Sequence, residues 1–138
     1  MTNLDSAPRQ LRSVLVVDSD PDVLALVSVI LEGRRASEEP KLRVLRARNM
    51  PEAMEILSRA WVPVDLVLSS QRLPDPDGAR IADCIHSLRP QLPVMYMSAI
   101  TDAEMIRIRG CAGENRDVLR AVVATLQPPA YTRSAGAC

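Results

Sequence analysis

Apolar residues in this chain follow two alternating rhythms. Residues 13–18 (SVLVVD) form a short β-branched run with no polar alternation, the signature of a strand covered on both faces. Residues 42–47, 66–70 and 93–99 (PVMYMSA) read as three further strands. Between the strands, apolar positions recur at three- and four-residue spacing. Val23, Leu26, Val27, Ile30 and Leu31 form one stripe, Ala53, Ile56, Leu57 and Ala60 a second, and Ile81, Ala82, Ile85 and Leu88 a third. Val118, Leu119, Val122, Val123 and Leu126 form the last. Each stripe predicts a helix with one face inward. Asp20 before Pro21 is a helix start, with an acceptor at the cap and a ring lacking N–H where that donor would be unpaired anyway. Asn49 with Glu52, and Thr101 with Glu104, have the spacing of reciprocal caps. Gly33 and Gly110 are placed to end helices, and Pro128 and Pro129 to stop the last one.

Strands alternating with helices imply right-handed crossovers and a doubly wound parallel α/β sheet with helices on both faces. A chain of 138 residues, 47% apolar, suffices for one core. The expected organisation is an N-terminal extension at 1–12, a domain at 13–127 and a flexible C-terminal tail at 128–138. Net charge is zero, which gives no global field to gather nucleic acid or an anionic membrane surface, and neither is expected as a partner. No apolar run approaches the roughly 18 residues of a membrane span, and no secretion signal opens the chain, so a cytoplasmic location is expected. Cys84, Cys111 and Cys138 lack CxxC or metal-ligand spacing and read as packing or tail residues. The sole histidine, His86, falls mid-helix on what reads as a surface face, a poor setting for a Ser-His-Asp centre.

Residues 65–78 read DLVLSSQRLPDPDG. This segment resembles the third strand and following loop of bacterial response-regulator receiver domains, with Asp65, Leu73, Pro74, Asp77 and Gly78 all in register. The resemblance implies a flavodoxin-like sheet of order 2-1-3-4-(5), with Asp18 and Ser70 ending adjacent strands at one crevice. It also implies chemistry. Receivers take a phosphoryl group from a histidine kinase onto an aspartate, helped by Mg²⁺ on an acidic pair, a hydroxyl and a lysine. In this chain the acceptor position is Ser70, and the acidic pair reads Asp18-Ser19. Asp20 is claimed by its helix cap. Ser98 matches the hydroxyl, but the only lysine, Lys41, precedes the second strand, away from the crevice. Between Gly110 and the final helix stands only Cys-Ala-Gly-Glu-Asn, so the fifth strand, its aromatic and the Lys-Pro step are reduced or missing.

A fourth strand left at the edge would present unpaired backbone, which proteins seldom leave bare. A stub strand, the tail or a second copy of the chain could cover it. The expected function is a stand-alone, degenerate receiver that is not an enzyme. It would bind Mg²⁺ weakly or not at all and act by contact with a histidine kinase, another regulator or an effector. A homodimer through the fourth strand and last helices is a further expectation. Arg107, Arg109, Arg116 and Arg120 read as a solvated charged face on those helices. Two alternatives are a regulator phosphorylated on Ser70 or Ser69 by a serine kinase, and a small-ligand flavodoxin-like enzyme using Asp18 and Ser98. The second lacks a glycine-rich phosphate loop after the first strand.

Overall fold

A computed structural model describes residues 13–33, 42–70, 81–97, 100–114 and 116–126. In chain order the elements are β1 (Ser13–Val17), α1 (Pro21–Glu32), β2 (Arg43–Ala47), α2 (Met50–Leu57), β3 (Leu66–Ser69), α3 (Ile81–Leu88), β4 (Val94–Tyr96), α4 (Asp102–Arg109) and α5 (Arg116–Leu126). The strands form one parallel sheet in the order β2-β1-β3-β4. This is the flavodoxin-like arrangement expected from the sequence, and among the described residues no fifth strand follows α4.

Each predicted N-cap side chain accepts as expected, but only Thr101–Glu104 is reciprocal, because the Glu52 carboxylate accepts the Arg48 N–H at 2.7 Å rather than that of Asn49. The Asp20 carboxylate accepts from the Asp22 N–H at 2.8 Å, and the Asn49 side chain accepts from the Glu52 N–H at 2.9 Å. Thr101 and Glu104 make a full capping box, each side chain accepting the other's backbone N–H at 3.0 to 3.1 Å. At the other end of α1, Gly33 adopts φ 72° and ψ 176°, a glycine-only region rather than the left-handed helical one.

The pleat of β1 sorts the core into two layers. Val14 and Val16 join Leu24, Val27 and Leu31 of α1, while Leu15 and Val17 join Ala53 and Leu57 of α2 and Ile81 and Ile85 of α3. That division follows from handedness: the crossover from β1 to β2 runs one way along the sheet, and those from β2 to β3 and β3 to β4 run the other. A helix crossing onward from β4 to a strand beyond it would have to lie beside α3. Instead α4 packs beside α1, where Met105 and Ile108 enter the α1 layer with Leu119 and Val123 of α5. The turn from Gly110 to Glu114 leads straight into α5, so no crossover constrains α4 and it fills the α1 face.

The same loss leaves β4 at the sheet edge, as expected, yet not bare: Val94 and Met95 are 3% and 2% exposed, covered within the chain. Four stripe assignments are corrected. Leu26 is 59%, Leu88 44% and Val118 41% exposed, and Ser28 takes the inward place on α1, its hydroxyl donating to the Leu24 carbonyl at 2.6 Å. Ala60 lies past the end of α2 and is exposed.

Candidate functional site

The crevice at the carboxyl ends of β1 and β3 is built by strand register. Val17 pairs with Ser69, so the next residues, Asp18 and Ser70, stand side by side where the strands leave the sheet. The Asp18 N–H donates to the Ala47 carbonyl at 3.1 Å and the Ser70 N–H to the Val17 carbonyl at 2.9 Å, extending both ladders by one residue. Both side chains fall in phase with Val16 and Leu68, on the α1 side of the sheet. Asp18 and Ser70 are each 8% exposed.

Asp18 is held rather than free. Its Oδ1 accepts the Asp20 N–H at 2.8 Å, while Asp20 turns its own carboxylate to the helix cap and out to solvent. Ser19 is exposed. Ser69 is fully buried on the other side of the sheet, and its hydroxyl donates to the Ser70 carbonyl at 3.3 Å. The crevice thus joins Asp18 and Ser70, excludes Asp20 and Ser69, and leaves Ser19 at the rim. Ser98 and the turn positions Leu73, Pro74, Asp77 and Gly78 lie outside the described residues.

The donor set decides what the site can do. A hard divalent cation needs several carboxylate oxygens close together. Among the described residues no group of three or more His, Cys, Asp or Glu is placed to hold a metal ion. At the described strand ends one carboxylate stands beside a neutral hydroxyl, and half of that carboxylate is already engaged, so these residues do not fit a Mg²⁺ site. Arg48, just after β2, has its guanidinium on Glu52 at 3.2 Å. The sole histidine does not stand at this crevice. His86 is half-buried rather than surface-facing, and its Nε2–H donates to the Leu92 carbonyl at 2.8 Å, before β4 and at the opposite end of the sheet.

Sequence spacing marked Asp65 only as a register position. In the structure it is a clamp: Asp65 is 2% exposed, its Oδ2 accepts the Ser13 N–H at 3.0 Å and its own N–H donates to the Ser13 carbonyl at 2.8 Å. That pair sets β3 against β1 in the register that brings Ser70 beside Asp18.

Comparison with known proteins agrees with this fold. Residues 14–120 match the family model described as the response regulator receiver domain. The chain is 39% identical over 88 residues, 64% of its length, to response regulator protein PilR of Pseudomonas aeruginosa. It is 34% identical over 109 residues, 79% of its length, to the two-component response regulator ARR2 of Arabidopsis thaliana. It spans less than a fifth of either relative, 18% and 15%. A CheY-like receiver domain from Methanospirillum hungatei superposes with a TM-score of 0.52 at 23% identity, over 85% of this chain and 94% of that one. A likeness at that identity speaks for the fold alone.

Proposed function

The chain belongs to the response regulator receiver domain family, and from that membership we propose that it is a two-component signalling module whose crevice no longer accepts a phosphoryl group and which acts by protein contact. The observation that carries this reading is the pair at the strand ends: across from Asp18, where an acceptor carboxylate would stand, is the hydroxyl of Ser70. An alcohol is a far weaker nucleophile toward a phosphoryl donor than a carboxylate unless a base activates it. With Ser19 and Ser70 both neutral, Mg²⁺ is bound weakly or not at all. The partners are a histidine kinase, another regulator or an effector, and a second copy of the chain. No helix among the described residues is long and apolar enough to cross a membrane.

Incubation of the purified chain with acetyl phosphate and Mg²⁺, followed by intact mass, tests the reading. An unchanged mass is the expected result; an added phosphoryl group that hydroxylamine removes would overturn it. Phosphorylation by a serine kinase instead is disfavoured by burial, since Ser69 is 0% and Ser70 8% exposed and a kinase must draw its substrate hydroxyl into its own site.

A further inference from the structure

Moving α4 onto the α1 face creates a surface. Met105 and Ile108 point into the core, which turns Asp102, Ala103, Ile106 and Arg107 outward, all four exposed. Ser28 on one flank of α1 receives Arg46 from β2 at 3.0 Å, and Arg109 of α4 reaches Ile30 on the other flank. Leu26 stands one helical turn before Ile30, on that second flank, as Ile106 stands one turn before Arg109. Leu26 and Ile106 therefore rim the outer seam between the two helices, with Val29 next to Leu26 on the outer face of α1. Their exposures are 59%, 49% and 58%, large for apolar side chains on neighbouring elements.

The charges on α4 divide into two classes. Glu104 is used in the capping box and Arg109 on the α1 carbonyl. Asp102 and Arg107 make no side-chain ion pair or hydrogen bond among the described residues. They also cannot pair with each other, because a five-residue spacing puts them on different rows of the helix. Two copies of this helix laid antiparallel about a two-fold axis solve both problems: Asp102 meets Arg107 of the second copy, and small Ala103 meets large Ile106, each contact occurring twice.

We propose that the α1–α4 face is the interface of a two-fold homodimer, with Ile106 near its centre, Leu26 and Val29 flanking it and Asp102–Arg107 pairs at its ends. This deepens the reading of the chain as a module that acts by contact, naming a second copy as one partner and the surface it uses. The apolar part of the face is on the order of a few hundred Å², below the roughly 800 Å² per partner of a standard interface. The dimer is therefore a weak one, with a dissociation constant on the order of 10 to 1000 µM.

Sedimentation of the full chain up to about 1 mM is the test. A concentration-dependent monomer–dimer equilibrium is expected, abolished by Ile106→Asp. Asp102→Arg and Arg107→Asp should each weaken it by about tenfold, and the double charge exchange should restore it to near the original value. Circular dichroism confirms that each variant folds. A strict monomer, or a double exchange no tighter than the single variants, overturns the interface. Either failure would leave the phosphorylation reading untouched, because that rests on mass after acetyl phosphate.

Discussion

Arg109 ties α4 to α1: its Nη1 donates to the Ile30 carbonyl at 3.3 Å, in the last turn where helix carbonyls lack intrahelical partners. The same guanidinium lies against Gly33, where a Cβ would come within 3.2 Å of Nη1. Gly33→Ala should therefore destabilise the chain by about 1–3 kcal/mol, chiefly through the cost of φ 72° and ψ 176° for a residue with a side chain. Arg109→Ala should cost about 1 kcal/mol. Because the crowding at the glycine is with a flexible side chain, most of the glycine penalty should persist in the Arg109→Ala background. Urea denaturation of the single and double variants checks this.

Asp65→Ala should be costlier than Asp65→Asn. Alanine leaves the Ser13 N–H, on a residue 2% exposed, without its acceptor, a loss of about 1–3 kcal/mol, whereas the asparagine carbonyl can still accept it. Equal midpoints for the two variants in denaturant would contradict the clamp.

Arg89 gathers the loop between α2 and β3. Its Nε and Nη2 donate to the Leu57 carbonyl at 3.2 and 3.0 Å, Nη1 to Val62 at 2.9 Å and Nη2 also to Arg59 at 2.9 Å. Lysine cannot reproduce a planar fork of donors, so Arg89→Lys should lose about 1–3 kcal/mol. Trp61, the sole tryptophan and 78% exposed on that loop, reports the change directly. Its fluorescence anisotropy should fall in the variant while the far-ultraviolet spectrum stays unchanged.

How far these features could be read from the sequence depends on where their cause lies. Caps at Asp20, Asn49 and Thr101 are local, made by side chains within three residues, and all three form, although the return bond expected from Glu52 to Asn49 goes to Arg48 instead. The Asp18–Ser70 pairing was legible because a motif fixed the register of β3. Leu26 and Leu88 were not, since periodicity gives a stripe without saying how far a neighbouring element extends over it. Arg89 binds three backbone carbonyls, which carry no sequence signal at all. The change of face by α4 follows from the missing fifth strand, but only once right-handed crossover is applied to the gap.

Burial pushes the Cys111 thiol up from the ordinary thiol range, with the Glu114 charge adding to the effect and Arg107 opposing it. A thiol whose folded pKa is raised contributes stability that is fully present below the unfolded value and lost as pH rises through the folded one. Stability should therefore fall above about pH 9, and less steeply in Cys111→Ala. Native Cys111, with its Sγ 3.6 Å from the Arg107 carbonyl, should resist iodoacetamide at pH 8 and react promptly once denatured. Alkylation at equal rates in both states, mapped by peptide mass, would count against the buried thiol.

Restoring the acids is the sharpest probe of the crevice. Ser70→Asp places a second carboxylate beside Asp18 at a position 8% exposed, where two like charges in low dielectric raise one pKa and cost stability of about 1–3 kcal/mol near neutral pH. Ser19→Asp adds a third acid at the exposed rim, turning a lone carboxylate into the clustered oxygens a hard cation requires. The double variant should thus be less stable than the parent in chelator and regain stability in millimolar Mg²⁺, while the parent shows no Mg²⁺ response. Ligand-linked stabilisation makes this quantitative: at a Mg²⁺ concentration about 100 times the dissociation constant the gain is about 2.7 kcal/mol. Thermal melts of both proteins across a magnesium series give the answer, and an equal upward shift in the parent would mean that Asp18 and its neighbours already hold the ion.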